Sequence, residues 1–450
     1  MSATDATPFE PLLPALVTEV PGPGSRTLAA RLQRVESRNV TWVAPDGSFP
    51  VFWERAAGSN VWDVDGNRYL DLTAAFGVAS CGHGHPRVVE ALIAQARKLL
   101  HGMGDVHPSA VKVELCERLA ALAPGDLGHA ILGCNGADAV EAALKTALLH
   151  TGRPAVIAFA GGYHGLTGGA LSVTSFERFR RPFEGLLAER TTFLPYPDPM
   201  HPVTGVEPER IGDHVLSLVR ARLDDRRAPV GAIIVEPVQG RGGEVVPPAG
   251  FLRGLRELCD GRETVLIADE IYTGLGRTGA LWACDHEGVV PDLLCVGKAL
   301  SNGMPLSACL GRPSVMEAWP PSQGEAIHTS TFLGHPGACA AALAALDVIG
   351  EGLPQRAAAL GGRLCERLRG RLGERVRGRG LLVGVELTGG GAPDARGAAE
   401  VMMGALRRGV LVLPSGTSGN VVAFSPPLTI DEGQLLWGAD VVADCILALP

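Results

Sequence analysis

The stretch Thr264-Val-Leu-Ile-Ala-Asp269-Glu-Ile271-Tyr-Thr-Gly-Leu-Gly-Arg277-Thr-Gly is followed by Asp292-Leu-Leu-Cys-Val-Gly297-Lys298-Ala-Leu. Two apolar runs each end on one ionisable residue, the carboxylate of Asp269 and then the amine of Lys298. Short apolar, β-branched runs bounded by glycine and polar residues read as buried strands. In an open α/β sheet, groups at the carboxyl ends of parallel strands converge on one crevice, where ligands bind. An acid and a lysine there suit pyridoxal phosphate chemistry. The lysine forms a Schiff base with the cofactor aldehyde, and the acid keeps the pyridine nitrogen protonated. A buried Asp–Lys ion pair in an ordinary sheet accounts for the same two residues equally well.

The flanking sequence has the organisation that such a sheet requires. From about residue 85 to 335, helical periods alternate with the apolar runs Ala155–Phe159, Ala232–Val235, Val265–Ala268, Leu293–Val296 and Ser307–Leu310. That alternation marks a mostly parallel sheet covered by helices on both faces. Upstream, the Asp65-Gly66-Asn67 turn between alternating apolar residues signals a hairpin. Downstream of Gly337, an alanine-rich helix leads to Gly380-Leu-Leu-Val-Gly-Val-Glu386, a further helix, and short strands around Val410–Leu413 and Val421–Phe424. This is a smaller α+β unit, against which the hairpin is expected to pack.

Bulk properties exclude several classes. With 450 residues, 46% of them hydrophobic and 20% charged, the chain can bury large cores. A net charge of −8 leaves no electrostatic footprint for nucleic acid. No apolar stretch reaches membrane-spanning length, and the N-terminus, with Asp5, Glu10 and several prolines, does not read as a signal peptide. The ten cysteines form no CxxC pair and sit mostly in apolar runs, the pattern of reduced thiols in the cytoplasm.

Three more segments bear on chemistry. Gly133-Cys-Asn135-Gly136-Ala137-Asp138 precedes a helix with apolar residues at 140, 143, 144, 147 and 148 on one face. Free N–H groups at such a helix start hold phosphate well, although a plain capped helix explains the segment too. Ala160-Gly161-Gly162-Tyr163-His164-Gly165 follows a strand, and its glycines let the backbone approach a ligand. Gly82-His83-Gly84-His85-Pro86 offers two histidines without a third ligand at useful spacing, so no metal is expected.

The Asp-Glu strand end, the Thr-Gly-x-Gly-Arg turn and the Gly-Lys beyond it resemble the signature of class III (fold type I) aminotransferases, with further matches from about Trp62 to the C-terminus. The resemblance implies a large α/β domain with a sheet of the seven-stranded type and a smaller α+β domain made from both chain ends. Residues 1–25 would be an extended arm, 26–84 and 336–450 the two parts of the small domain, and 85–335 the large domain. It also implies pyridoxal 5′-phosphate as cofactor, held by Lys298. Asp269 would sit on the ring nitrogen, Tyr163 and Ile271 on the two ring faces, and Gly136 and Ala137 at the phosphate, with Glu236 in the cofactor set. In His328-Thr-Ser-Thr331-Phe, Thr331 aligns with the threonine that reaches the phosphate of the neighbouring subunit. A homodimer, or a tetramer built from it, follows. His164 is expected to shape its turn rather than shuttle protons.

Two departures from the family bear on substrate. Where many members read Glu-Pro-(Val/Ile)-Gln-Gly-Glu-Gly, this chain reads Glu236-Pro-Val-Gln239-Gly-Arg241-Gly-Gly. Where they read Asn-Val-(Ile/Leu)-Arg-Phe, it reads Asn420-Val-Val-Ala423-Phe. In ornithine- and GABA-type members that arginine grips an α-carboxylate, and the glutamate shields it. Arg241 is therefore the candidate carboxylate binder, because guanidinium clamps carboxylate in bidentate fashion. Exposure to solvent or a pair with Glu244 explains it equally well.

A racemase or epimerase branch of the family shares the wording around Tyr163 and Leu194–Pro199 but carries an aspartate at the slot of Arg241. Arginine cannot serve as the second base that racemisation needs. The expected activity is thus transfer of an amino group from an amino acid or amine to a keto acid, in ping-pong fashion, with Lys298 as the proton carrier. A racemase, epimerase or aminomutase is the alternative. A non-catalytic relative would not need the Asp269–Lys298 pair.

Overall fold

A computed structural model describes residues 9–43 and 50–449. The arm expected over residues 1–25 therefore lies partly outside the described residues. Its described part runs beside the hairpin, with Ala15 bridged to Arg68, and leads into the helix Pro23–Leu32.

At the centre is a seven-stranded sheet in the order His129–Gly133, Ser307–Gly311, Leu293–Val296, Val265–Asp269, Val230–Val235, Ala155–Phe159, Thr191–Leu194. Ser307–Gly311 runs antiparallel to both its neighbours, and the other adjacent pairs are parallel. The five strands expected from the apolar runs are all present. The two edge strands were not expected, because His129, Thr191 and Thr192 interrupt their apolar pattern.

Alternation along each strand divides the core. Ile157, Phe159, Ile233, Val235, Leu266 and Ala268 pack against Val215, Val219, Phe251 and Leu255 from two helices on one face. Ala158, Ala232, Ile234, Val265 and Ile267 pack against Val140 and Ala143 from the helix Gly136–Thr151 on the other. Both faces are dry, which is why these strands are apolar throughout rather than alternating.

The C-terminal part forms a four-stranded antiparallel sheet in the order Val376–Arg379, Leu382–Glu386, Val421–Phe424, Leu413–Ser415. The single strand expected over Val410–Leu413 is split between two sheets. Val410–Leu411 joins the N-terminal hairpin beside Arg68–Asp71, while Leu413–Ser415 pairs with Val421–Phe424. The hairpin and the C-terminal segment thus share a sheet. Among the described residues no single helix is long and apolar enough to cross a membrane.

Arg277 ties these parts together. Its side chain is 2% exposed and donates to the carbonyls of Leu381 and Pro426 and to Ser80 Oγ. Burial lowers its pKa to about 10, against the raising effect of Tyr272 and Asp71. Arg277→Leu leaves these buried acceptors without a donor, at about 1–3 kcal/mol each. A loss of about 3 kcal/mol or more is expected in urea unfolding, and a loss below about 1 kcal/mol would show that water replaces the guanidinium.

Candidate active site

All the parallel strands end on one edge of the sheet, and the chemistry-bearing residues follow those ends. Tyr163 comes after Ala155–Phe159, Glu236 after Val230–Val235, Asp269 closes Val265–Asp269, and Lys298 lies just past Leu293–Val296. They line one cavity of about 850 Å³ together with Gly136, Ala137, Arg241 and Ile271. Leu413, Pro414, Ser415 and Ala423 close it from the C-terminal sheet.

Lys298 sits in a tight turn at φ 43°, left-handed backbone that a non-glycine residue seldom adopts. Its Nζ lies 4.6 Å from the centre of the Tyr272 ring. Burial pulls the amine below its ordinary pKa, more than Asp269 and Glu236 raise it, and Arg241 lowers it further. Asp269 is 3% exposed, accepts from the backbone N–H of Ile271 (3.1 Å) and pairs with His164 Nδ1 (2.7 Å). Burial lowers the His164 imidazole, but the hydrogen bond and charge of Asp269, with Glu236 adding, raise it overall. His164 therefore does more than shape a turn: its Nδ1 is hydrogen-bonded to the Asp269 carboxyl and fixes its orientation.

The helix start is prepared for an anion. Asn135 and Asp138 form a capping box, with the Asp138 carboxylate accepting from the N–H groups of Cys134 and Asn135. Among the described residues the amides of Gly136 and Ala137, at the first two helical positions, have no partner. Close packing holds this end in place. A Cβ on Gly136 would meet Ile271 at 3.0 Å, and one on Gly165, at φ 124°, would meet Ala137 at 2.6 Å. The Glu236 carboxylate accepts from the backbone N–H groups of Tyr163 (2.8 Å) and Gly240 (3.0 Å). Burial raises it to about 6.

A buried amine, a carboxyl hydrogen-bonded to an imidazole, two free helix-start amides, and an aromatic and an aliphatic side chain on the cavity wall fit pyridoxal phosphate. Thr331 is not part of this set in its own chain: it is exposed and outside the cavity lining.

Arg241 neither points to solvent nor pairs with Glu244. Its guanidinium carbon lies 5.1 Å from the centre of the Tyr163 ring and 5.3 Å from that of Phe179, and its buried Nε has no hydrogen-bond partner among the described residues. Sequence reading missed Phe76, exposed at the cavity wall on a left-handed run of Ala74, Ala75 and Phe76 at φ 46°, 49° and 65°. Nothing in a run of alanines signals that conformation. It also missed the part played by Glu244, which lines the cavity.

Residues 43–446 match the family model described as aminotransferase class-III. The chain is 37% identical to a 4-aminobutyrate aminotransferase of Mycobacterium leprae, over 95% of this chain and 97% of that one. It is 41% identical to an acetylornithine aminotransferase of Methanopyrus kandleri, over 89% and 95%. An amine transaminase from an uncultivated Pseudomonas species, solved with pyridoxal phosphate bound, superposes with a TM-score of 0.83 at 31% identity, covering 92% of this chain and 97% of that one. The chain belongs to the class III aminotransferases and is a pyridoxal-phosphate-dependent enzyme of fold type I that moves an amino group from an amine or amino acid to a keto acid.

Proposed function

We propose that Lys298 and Asp269 carry the transamination, with Gly136, Ala137, Tyr163, Ile271 and Glu236 as the cofactor-binding set and Arg241 as the carboxylate binder. The observation that supports this most is the convergence of the buried Lys298 amine, the Asp269–His164 pair and the free amides of Gly136 and Ala137 on one cavity. Bound pyridoxal phosphate supplies an aldehyde that takes up amines and a ring that accepts the electron pair left when Cα loses its proton.

The residues act around it as follows. Gly136 and Ala137 offer N–H donors at a helix start to the phosphate. Tyr163 and Ile271 confine the ring between them. Glu236 holds the Tyr163 turn through its two backbone contacts. Asp269, its carboxyl oriented by His164 and the Ile271 amide, would keep a proton on the ring nitrogen of bound cofactor. Lys298, its amine lowered by burial, would hold the cofactor and, once freed, carry the proton that leaves the substrate Cα.

Borohydride reduction of the purified yellow enzyme, followed by peptide mapping, tests the assignment. The cofactor label is expected on Lys298, and a label on Lys112 or Lys145 would overturn it.

Arg241 gives the site a guanidinium that stacks on aromatic rings and has an unpartnered Nε among the described residues, and the 4-aminobutyrate of the M. leprae relative's name is a carboxylate-bearing amine. Losing a partly buried, charge-assisted contact costs about 2–5 kcal/mol. Arg241→Ala should therefore lower kcat/KM for an amino acid far more than for the matched amine that lacks the carboxylate. Equal losses on the two would assign carboxylate binding elsewhere.

The working unit we infer is a homodimer in which Thr331 of a second copy completes the site. Exposed Leu100, Met103, Ile327 and Phe332 lie on two segments held together by the His101–Phe332 ring contact at 5.4 Å and by Thr329 Oγ1 donating to Asp105 (2.6 Å). An apolar patch of this kind marks an interaction surface. Ten free cysteines, most of them buried, support a cytoplasmic setting.

A further inference from the structure

We propose that Glu244 is a specificity residue of this site, binding a second cationic nitrogen on the amine substrate. The proposal rests on the site reading above and deepens it.

Glu244 is placed at a conformational cost. It follows Gly243, at φ 115°, and is itself at φ 52°, in the left-handed region that favours glycine. The residue borders the same cavity as Lys298 and is 1% exposed. Its Oε2 has no hydrogen-bond partner among the described residues.

The position of that oxygen decides its meaning. A Cβ built on Gly384 would lie 2.8 Å from Glu244 Oε2, so the carboxyl lies against the strand Leu382–Glu386 at Gly384. Gly384 is the register partner of Ala423. Directly paired residues share one face of a sheet. Ala423 occupies the slot at which the family resemblance places a carboxylate-gripping arginine. At that rung this chain has alanine in place of the cation, and a carboxyl lies beside it.

Among the described residues no cation is paired with the Glu244 carboxyl. The Arg377 guanidinium lies close by, since a Cβ on Gly243 would meet its Nη2 at 2.8 Å. It is held by the Gly243 carbonyl (2.6 Å) and by an ion pair with Glu386. Arg241 is turned toward Tyr163 and Phe179. Glu236, of like charge, is taken up by two backbone N–H groups. Burial raises Glu244 to about 8, and Glu236 adds to that, while Arg377 and the Ser415 hydroxyl oppose it. The carboxyl of the free enzyme is thus mostly protonated at pH 7, and an arriving ammonium displaces that proton. A buried carboxyl oxygen without a partner is costly, and a substrate cation relieves the cost.

The test uses the holoenzyme and the amine half-reaction, read as loss of cofactor absorbance. The probes are 1,4-diaminobutane, 1,5-diaminopentane and 1,6-diaminohexane, each against the monoamine in which a methyl replaces one ammonium. The diamines are symmetric, so either nitrogen can react, and they carry no carboxylate for Arg241. At least one diamine should exceed its monoamine by about 30-fold in kcat/KM, the difference lying in KM. In Glu244→Gln that ratio should fall toward one. A second readout needs no variant: calorimetry at pH 7 in buffers of different ionisation enthalpy should show the preferred diamine releasing up to one proton more than its monoamine. A wild-type ratio near one for every pair, inertness toward all of them included, overturns the proposal, as does an unchanged ratio in Glu244→Gln or equal proton release. Failure of the site assignment would instead appear as a borohydride label away from Lys298.

Discussion

Lys298→Ala is expected to abolish turnover and the yellow colour of the bound cofactor. The chain holds only four lysines, at positions 98, 112, 145 and 298. Only Lys298 lines the cavity, while Lys112 is tied to the Gly104 carbonyl (2.6 Å) and Lys145 lies beside His328 (3.2 Å). Two functions disappear together in this variant, the covalent tether and the proton carrier. The second alone is worth about 100- to 10,000-fold, and loss of the tether adds to it. The left-handed φ of 43° at Lys298 suits alanine no better than lysine, so the fold should change little beyond the missing side chain. Steady-state kcat and the absorbance spectrum of the reconstituted variant decide the matter. A rate within tenfold of the wild type would refute the assignment of Lys298.

Asp269→Asn is expected to retain the cofactor and lose activity by about 100- to 1000-fold in kcat, the scale of removing one oriented electrostatic contact from a buried site. The amide keeps the shape, and its oxygen still accepts from the Ile271 N–H. It cannot carry the charge that holds a proton on the ring nitrogen, so the electron pair left at Cα has a weaker sink. The variant also moves a second observable. His164 is held above its ordinary pKa by Asp269 against the pull of burial. With asparagine, burial prevails and the imidazole titrates at lower pH, which ring-proton NMR can follow. The sign for stability follows from the same pairing. A raised imidazole contributes fully below its unfolded pKa and loses that contribution as pH rises through the folded value. The variant should lack this component of the pH dependence. Near-wild-type kcat in Asp269→Asn would remove the carboxylate from the mechanism.

The chemistry was legible in the chain wherever it depends on neighbours in sequence. Asp269 and Lys298 each terminate an apolar strand, and a strand end is a local feature. The helix beginning at Gly136 announces itself through an N-cap at Asn135 or Gly136 and the apolar face at 140, 143, 144, 147 and 148, because both are read within a few turns. The glycine turn around Tyr163 and the mostly parallel order of the sheet follow from similar local rules. The edge strands His129–Gly133 and Thr191–Leu194 were hidden because half-exposed strands tolerate polar residues.

The surroundings of the proposed substrate-facing residues are not local, and only the tertiary structure set them. The His164–Asp269 contact joins residues 105 positions apart. Arg241 is directed by the rings of Tyr163 and Phe179, which a helix and a turn from elsewhere in the chain bring beneath it. Glu244 meets the Gly384–Ala423 rung only because the C-terminal sheet closes over the strand ends, where Gly416 N–H bonds the Arg241 carbonyl (3.1 Å). The sequence by itself determined the class of chemistry, since strand periodicity and strand-end residues are encoded within short windows. The charge pattern that faces the substrate was decided by packing between distant segments, since a side chain's partner there depends on which surfaces meet.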